Sequence, residues 1–358
     1  MKVIVGAGGT GGHLYPALAL VEYIKEVEPD SEFLFVGTKD RIESEVVPQQ
    51  GYEYIGLNVR GLVGNPIKKG IAAAIFVRSI FTAKKIVKKF KPDIVIGFGG
   101  YPSASVVEAA NRLGYKTMIH EQNSIIGLTN KILIKNVDKI VCCYDKAYEN
   151  FPKDKTYKLG NPRASVIDSI KPDDIFKKYH LNKNLPLVTI VMGSLGSKSV
   201  NEMMLKSLKT FEQKNYQVLY VTGKPYFEEM KTKLGKLNKN IKLVPYIDDM
   251  PSVLKNTTLV VSRAGASTLA EITAVGIPAI LIPSPYVAAN HQEYNARELA
   301  DRNAAMMILE ENLNSKDFVE KVDYILENKI VQESMQKSAK ALGKPNACRD
   351  IYKLIKEM

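Results

Sequence analysis

The first thirteen residues constrain the fold of this chain more than any other stretch. An apolar run rich in β-branched residues, Met1–Val5, ends in a loop with five glycines between positions 6 and 12, and a helical pattern begins at Leu14. This order predicts a strand, a tight turn and a helix N-terminus, where backbone N–H groups and the helix dipole favour a phosphate or pyrophosphate. His13 adds a group that can accept a proton near neutral pH.

The loop lacks one part of the dinucleotide-binding pattern. That pattern places an acid at the end of the second strand, roughly 20 residues further on. Here the second predicted strand, Glu32–Val36, is followed by Gly37-Thr38, and no acid stands at its tip. The loop by itself therefore fits a ligand site and an ordinary tight turn equally well.

Strand-like runs alternate with helical patterns along the whole chain. The predicted strands are 3–5, 32–36, 52–55, 93–97, 116–120, 139–142, 187–192, 217–222, 241–245, 258–262, 278–283 and 304–309. Short apolar strands separated by helices predict parallel sheets covered on both faces. Turn signals between 160 and 186 divide the chain, so we expect two Rossmann-like, doubly wound α/β domains facing each other across a cleft. The expected boundaries are 1–160 and 161–335, with C-terminal helices at 336–358 that pack back toward the first domain.

The charge balance favours an anionic partner. The formal net charge is +12, which suits a nucleic acid, a phospholipid surface or a phosphorylated substrate. No apolar run approaches the ~18–20 residues of a membrane span, and the chain begins directly with a predicted strand, so we expect no signal peptide.

The basic residues are concentrated before the fourth predicted strand. Between Tyr54 and Pro92 there is no acid, and the basic residues are Arg60, Lys68, Lys69, Arg78, Lys84, Lys85, Lys88, Lys89 and Lys91. A core-facing helical stripe is predicted at Phe76, Ile80, Ala83, Val87 and Phe90. A separate apolar line with adjacent lysines is formed by Ile67, Lys68, Lys69, Ile71 and Ile75. This line favours an anionic membrane surface over a merely solvated basic helix, and without aromatic stacking platforms we do not expect nucleic acid.

Polar or glycine-rich segments follow several other predicted strands. They are Gly97–Ser103, His120–Asn123, Gly193–Ser199, Ser262–Glu271 and Asn290–Glu293. Each fits a ligand loop, and each has a structural alternative: a tight turn, a capped helix start or complementation of a helix dipole. In the fourth segment Arg263 can offset phosphate charge, and Glu271 can accept ribose hydroxyls. The third fails the P-loop pattern, since no glycine precedes Lys198.

The sequence also lacks several metal and nucleophile motifs. There is no Asp-x-Asp, so a carboxylate-held Mg²⁺ or Mn²⁺ is not expected, and no His/Cys cluster has zinc spacing. No Gly-x-Ser-x-Gly elbow is present.

Taken in order, these segments resemble a known family over essentially the whole chain. They are Gly8–His13, Gly99–Ser103, His120–Asn123, Gly160–Arg163, Gly193–Gly196 and Gly265–Glu271. They are similar to the bacterial N-acetylglucosaminyltransferases of glycosyltransferase family 28 that make lipid II. The resemblance implies a GT-B fold and inverting, metal-independent transfer of N-acetylglucosamine from UDP-GlcNAc to the muramoyl 4-hydroxyl of lipid I, with no cofactor.

The resemblance also implies roles for individual residues. Donor contacts are expected at Thr10, Gly11, Gly12, Asn123, Arg163, Ser194, Ile247, Arg263, Ala266, Ser267, Thr268, Glu271 and Gln292. Acceptor contacts are expected at Gly8, Gly9, Gly99, Gly100, Tyr101 and Ser103. His13 is the expected base, with His120 and Glu121 as rivals. His291 departs from members that carry glutamine there, which leaves its sugar contact open.

The resemblance implies a peripheral membrane protein at the cytoplasmic face of the cell membrane. Other proteins of cell-wall synthesis or division are possible partners there. Three alternatives are retained. Two are other GT-B enzymes, a diacylglycerol glucosyltransferase and a UDP-GlcNAc 2-epimerase. The third is a non-catalytic, membrane-associated UDP-sugar sensor.

Overall fold

Helices and strands alternate throughout the chain. The computed structural model describes residues 1–59, 61 and 65–358, and at 66–69 it describes the backbone without the side chains. The first elements are β1 (Lys2–Ala7), α1 (Gly11–Val27), β2 (Glu32–Thr38), α2 (Glu43–Gln49), β3 (Glu53–Leu57), α3 (Pro66–Phe90), β4 (Ile94–Gly99), α4 (Tyr101–Asn111), β5 (Lys116–Glu121), α5 (Leu128–Leu133), β6 (Lys139–Cys142), α6 (Asp145–Glu149), β7 (Thr156–Lys158) and α7 (Arg163–Ser169).

The remaining elements repeat the same alternation. They are α8 (Ile175–Lys178), β8 (Leu187–Val191), α9 (Lys198–Phe211), β9 (Gln217–Val221), α10 (Phe227–Leu234), β10 (Ile241–Val244), α11 (Met250–Lys255), β11 (Leu259–Ser262), α12 (Ala266–Val275), β12 (Ala279–Leu281), α13 (His291–Ala300), β13 (Ala305–Met307), α14 (Ser315–Glu327), α15 (Lys329–Leu342) and α16 (Ala347–Lys356). Short 3-10 helices lie at Lys153–Lys155, Lys224–Tyr226, Ala288–Asn290 and Glu310–Asn312.

The chain folds into two compact units. The first unit comprises Met1–Ser165 and Asn346–Met358, and the second comprises Val166–Pro345. In the first unit α16 packs Ile351, Leu354 and Ile355 into the same core layer as α1. The hydroxyl of Tyr352 donates to Glu28 at the end of α1 over 3.0 Å, which ties the C-terminal helix to this unit.

Each unit is built on one parallel sheet with a Rossmann-type strand order. The first sheet runs β3-β2-β1-β4-β5-β6-β7 and the second runs β10-β9-β8-β11-β12-β13. All neighbouring strands in these two sheets are paired in parallel. This confirms the predicted α/β class with two doubly wound domains. In such sheets ligands bind beyond the carboxyl ends of the strands where the order reverses, which here means the loops after β1 and β4 and those after β8 and β11.

Helix α3 confirms its predicted core stripe. Ile80, Ala83 and Val87 are buried, and Phe76 and Phe90 pack against the same core. Of the predicted apolar line, Ile71 is exposed and Ile75 is half-buried, whereas the side chains of Ile67, Lys68 and Lys69 lie outside the described residues. Among the helices that the structure describes, none is long and apolar enough to cross a bilayer.

Candidate active site

In the first unit, the loops after β1 and β4 are locked together by glycine. The N–H of Gly8 donates to the carbonyl of Gly99 over 3.2 Å. Gly99 and Gly100 both have positive φ, at 112° and 82°, and a Cβ on Gly100 would overlap the Gly8 carbonyl. Glycine is needed there for both the backbone conformation and the close approach.

The backbone N–H groups of two predicted acceptor contacts, Gly8 and Gly9, are bonded within the protein. The N–H of Gly8 is taken by Gly99, and the N–H of Gly9 donates to both carboxylate oxygens of Glu43, over 3.1 and 3.2 Å. Neither N–H is left to meet a diphosphate. The first turn of α1 keeps that capacity, because the N–H groups of Gly11 and Gly12 have no acceptor within the helix.

Ser103, another predicted acceptor contact, is hydrogen-bonded within the loop. It lies inside the first turn of α4, whose N-cap is Gly100, and its hydroxyl accepts from the N–H of Gly99 over 3.3 Å. The side chain is fully buried, so it closes the loop from within rather than capping the helix or reaching a ligand. Tyr101, at the start of the same helix, is half-buried.

His13 stands at the junction of the two loops. Its Nδ1 lies 2.8 Å from the carbonyl oxygen of Gly8 and 3.4 Å from the Thr10 hydroxyl. Since a carbonyl only accepts, Nδ1 carries the proton of the neutral ring and Nε2 keeps its lone pair. The Nε2 edge of the ring lies against Gly99, where a Cβ would come within 2.8 Å. The half-buried ring is therefore oriented with its basic nitrogen away from the Gly8 carbonyl.

His120 has a different environment. The side chain is 1% exposed, stacks on Phe98 with ring centroids 5.2 Å apart, and lies with Nε2 2.9 Å from the Gly160 carbonyl. Burial lowers its pKa from 6.5 to about 4 because the charged ring is poorly solvated there. Among the described residues no partner reaches its Nδ1. This is the geometry of a neutral core histidine.

Glu121 organises the loop that follows β5. One carboxylate oxygen accepts from the N–H of Gly127 and from the amide of Asn130, each over 2.9 Å, and the other accepts from the N–H of Asn123 over 3.1 Å. The carboxylate is buried, and these bonds fix the turn between β5 and α5. Arg163, at the start of α7, has its N–H bonded to the side chain of Asn161 over 3.0 Å.

In the second unit, the turn after β8 packs directly on the turn after β9. Gly196 has a φ of 74°, and a Cβ there would overlap the carbonyl of Thr222. Ser194 and Leu195 are exposed at the tip of this turn, and α9 begins just after it at Lys198. The turn therefore presents backbone and a serine hydroxyl at the switch point of the sheet.

Arg263, directly after β11, is held by several groups. Its guanidinium donates to the carbonyls of Ile282 and Pro283 over 3.1 and 3.3 Å and to the Ser197 hydroxyl over 2.8 Å. It also forms an ion pair with Glu310 at 2.6 Å, and both side chains are largely buried. The arginine thus ties the β8 turn to the end of β12, and its charge is partly offset by Glu310.

The N-terminus of α12 follows Arg263 closely. Gly265 is its N-cap, and Ala266 and Glu271 are largely buried. The Ser267 hydroxyl is buried, and among the described residues no partner reaches it. The next residue, Thr268, is half-buried. Unsatisfied N–H groups at such a helix start are suited to an anion.

Two residues predicted to contact the donor have side chains engaged within this unit. The Ile247 side chain is 3% exposed and packs in a core cluster with Val253, so the predicted uracil contact stays a prediction for the backbone of this region. Its neighbour Tyr246 is exposed, with the Lys224 ammonium 5.0 Å from the ring centroid. Gln292, near the start of α13, uses its side-chain carbonyl to accept from the N–H of Ser284 over 2.9 Å.

Sequence reasoning missed several residues that organise these loops. They are Glu43, Asn130, Glu310 and the buried Asn295, whose amide donates to the Ala264 carbonyl over 3.3 Å. All are polar residues outside the glycine motifs. The sequence shows each of them only as a polar residue in or near a loop. Helix caps and solvated turns contain the same kind of residue, so this pattern does not distinguish them.

Comparison with known proteins identifies the family. Residues 3–142 match the glycosyltransferase family 28 N-terminal domain, and residues 187–351 match the family's C-terminal domain. The chain belongs to glycosyltransferase family 28. Within this family it is 44% identical over 357 residues to the Leuconostoc mesenteroides UDP-N-acetylglucosamine--N-acetylmuramyl-(pentapeptide) pyrophosphoryl-undecaprenol N-acetylglucosamine transferase, covering 99% of this chain and 98% of the relative. The Listeria monocytogenes enzyme of the same name is 42% identical, covering 99% of both.

Solved structures agree with this assignment. The crystal structure of MurG from Acinetobacter baumannii matches with a TM-score of 0.82 and 26% identity, over 100% of this chain and 99% of that one. A UDP-GlcNAc 2-epimerase from Neisseria meningitidis, solved with UDP-GlcNAc, matches with a TM-score of 0.71 and 13% identity over both whole chains. The second likeness concerns the fold alone. The family 28 chain is therefore a GT-B hexosyltransferase.

Proposed function

We propose that this protein transfers N-acetylglucosamine from UDP-GlcNAc to the muramoyl 4-hydroxyl of lipid I, which gives lipid II for peptidoglycan synthesis. The observation that carries the proposal is the similarity to transferases of that name, at 40–44% identity over 99–100% of this chain. The loops at both switch points support it, because they carry the polar and glycine residues that a sugar diphosphate needs.

The donor diphosphate is assigned to the second unit. The exposed turn at Ser194 and the start of α12 offer backbone N–H groups, and the buried Ser267 hydroxyl nearby has no partner among the described residues. These fixed dipoles would stabilise the UDP that departs. Arg263 holds Ser197 and the turn, and its positive charge, which Glu310 partly offsets, attracts the diphosphate.

The rest of the donor is assigned to neighbouring residues of the same unit. We assign the ribose to Glu271, uracil to the backbone of Ile247 with the exposed ring of Tyr246, and the sugar to Gln292. The donor contacts predicted in the first unit stay predictions at Thr10, Asn123 and Arg163. Gly11 and Gly12 were also predicted to contact the donor, but we assign their N–H groups to the acceptor diphosphate instead.

The acceptor and the base are assigned to the first unit. The diphosphate of lipid I is assigned to the first turns of α1 and α4, at Gly11, Gly12 and Tyr101. The 4-hydroxyl must lose a proton as it attacks the anomeric carbon from the side opposite UDP, and a base within hydrogen-bond reach accelerates this step. The oriented Nε2 of His13 suits that role. His120 and Glu121 suit it less, because both are buried and committed to neighbouring backbone groups.

A membrane surface is the proposed environment, at the cytoplasmic face and as a peripheral protein. Helix α3 exposes Ile71, Val77 and Phe81, the last at 61%, although the sequence predicted Ile67, Ile71 and Ile75. Arg78 and Lys85 are exposed one turn from Phe81. An apolar edge with cations on either side suits an anionic bilayer, where apolar burial and attraction to lipid headgroups add together.

The test is incubation of the protein with labelled UDP-GlcNAc and a lipid I analogue, followed by product analysis. We expect a disaccharide product and UDP. Turnover of UDP-GlcNAc without an acceptor would identify an epimerase, and UDP binding with no turnover would identify a sensor.

The base assignment is tested by H13A, with H180A, at an exposed histidine of the second unit, as the matched control. H13A should lower kcat by ~10²–10⁴ and leave UDP binding unchanged. A near-wild-type rate for H13A would remove His13 from the base role.

A further inference from the structure

Glu43 is a fully buried carboxylate beside the glycine loop of the first unit. It is the first residue of α2, directly after β2 in the chain, and its side chain is 0% exposed. A buried carboxylate is costly unless hydrogen bonds replace its hydration. The loop contacts described above do not explain why a carboxylate is buried at this position.

Three donor groups satisfy this carboxylate through four contacts. Both oxygens accept from the N–H of Gly9, at 3.1 and 3.2 Å, and Oε1 also accepts from the N–H and the hydroxyl of Thr38, at 3.0 and 2.8 Å. Tyr54 supports the arrangement by donating to the Thr38 carbonyl. All of these groups are donors. Three of them meet Oε1, and Oε2 takes the second branch of the Gly9 N–H bond, so an acceptor is favoured at both oxygen positions.

The bond to Gly9 controls the peptide unit that orients His13. The N–H of Gly9 and the carbonyl of Gly8 belong to one planar peptide. Glu43 holds this peptide by its N–H, and its carbonyl accepts from His13 Nδ1 over 2.8 Å. A side chain on Gly8 would meet both Pro102, at 2.6 Å, and Glu43 Oε1, at 2.8 Å, so the peptide is also confined sterically.

We propose that Glu43 is a positioning residue that fixes the Gly8–Gly9 peptide and thereby keeps His13 in the Nδ1–H form, with Nε2 free to accept a proton. This inference rests on the proposed function where it concerns the rate. The orientation of His13 can be measured without turnover, so the two can fail separately.

The experiment uses E43Q in the full chain. Glutamine keeps the size, and its oxygen can take the three bonds of Oε1. Its NH₂ group would then replace Oε2 and face the Gly9 N–H, so two donors would oppose each other at the peptide that Glu43 holds. The matched control is E45Q, which changes an exposed acid two residues later in the same helix. T38V removes only the hydroxyl donor, and it serves as the second variant if E43Q does not fold.

The first readout is the tautomer of His13 in protein labelled with ¹⁵N-histidine, from two-bond ¹H–¹⁵N spectra in which H13Q assigns the signals. We expect the Nδ1–H form in the wild type and in E45Q. In E43Q we expect a shift toward the Nε2–H form, and in T38V a smaller shift in the same direction. An unchanged His13 tautomer in the folded variants would overturn the proposal.

The second readout is the kinetics with UDP-GlcNAc and the lipid I analogue. E43Q should lower kcat about tenfold, which is the equilibrium change that one hydrogen bond of ordinary strength supports, and it should leave KM for UDP-GlcNAc unchanged. If the tautomer shifts and kcat does not fall, Glu43 positions His13 as proposed and His13 is not the base. A loss of kcat without a tautomer shift would overturn the positioning role of Glu43.

Discussion

Acidification should destabilise the first unit through His120. The ring is buried and neutral, with its pKa lowered by burial to about 4, whereas a histidine in the unfolded chain titrates near 6.5. The unfolded state therefore binds a proton at a higher pH than the folded state does. The stability that this difference contributes is complete above about pH 6.5 and is lost as the pH falls toward 4.

The size of the effect follows from the two pKa values. Each unit of pKa difference corresponds to about 1.4 kcal/mol, so the full difference is worth about 3 kcal/mol. At pH 5 the unfolded histidine is mostly protonated and the folded one is mostly neutral. The expected loss between pH 8 and pH 5 is then about 2 kcal/mol.

The assay compares the wild type with H120Q by urea unfolding at pH 8, 6 and 5. At each urea concentration, unfolding is followed by hydrogen exchange of the backbone amides of β5, which belong to the first unit and therefore report its stability alone. Glutamine can still donate to the Gly160 carbonyl but does not titrate. Between pH 8 and pH 5 the free energy of unfolding of the wild type should fall by about 2 kcal/mol more than that of H120Q. Other titrating groups are present in both proteins, so their effects cancel in this difference.

A matched control is H180Q, which removes an exposed ring of the second unit and should keep the wild-type pH dependence. If H120Q loses stability as steeply as the wild type, burial of the neutral His120 ring is not the source of the pH dependence, and the reasoning fails.

Two further predictions concern charge at the β8 turn and the exposed face of α3. E310Q should lower the Kd for UDP about fivefold, near 1 kcal/mol, because Arg263 loses its buried counter-charge. Calorimetry measures this Kd, with E311Q as the control at an exposed acid. Weaker UDP binding by E310Q would mean that Glu310 mainly orients Arg263. F81D should lower binding to vesicles containing anionic lipid at least tenfold, since burying a phenylalanine contributes ~1.5–3 kcal/mol. Y324D, at an exposed tyrosine of α14, is the co-sedimentation control, and equal losses in both variants would exclude α3 as the contact.

The sequence predicted strands well where they are buried on both faces. Segments such as Val3–Val5 and Ile94–Ile96 are continuous apolar runs, which is the pattern of a central parallel strand, and the structure confirms them. The prediction missed β7, Thr156–Lys158, because this edge strand has three residues and is partly exposed. Three residues are too few to show the apolar pattern of a strand, and pairing with β6 defines this one.

The candidate site was predictable at its glycines and less so at its side chains. A glycine loop between a strand and a helix has few structural solutions, and both switch points contain the predicted loops. The direction of a side chain depends on its neighbours. Ser103 faces inward because the Gly99 N–H needs an acceptor, and Ile247 faces the core because β10 ends beside an apolar cluster. Neither requirement is visible in the local sequence.

The missing acid at the tip of β2 has a structural counterpart. Dinucleotide-binding folds place a carboxylate there to receive ribose hydroxyls. In this chain Glu43 reaches the same strand end from α2 and bonds to Thr38 and Gly9, so a carboxylate is present but turned toward the protein's own loop. Its negative charge and its use of the Gly9 N–H disfavour a phosphate at that point of the loop. An anion at this loop is therefore better received by the first turn of α1, next to His13, where the N–H groups of Gly11 and Gly12 have no acceptor within the helix.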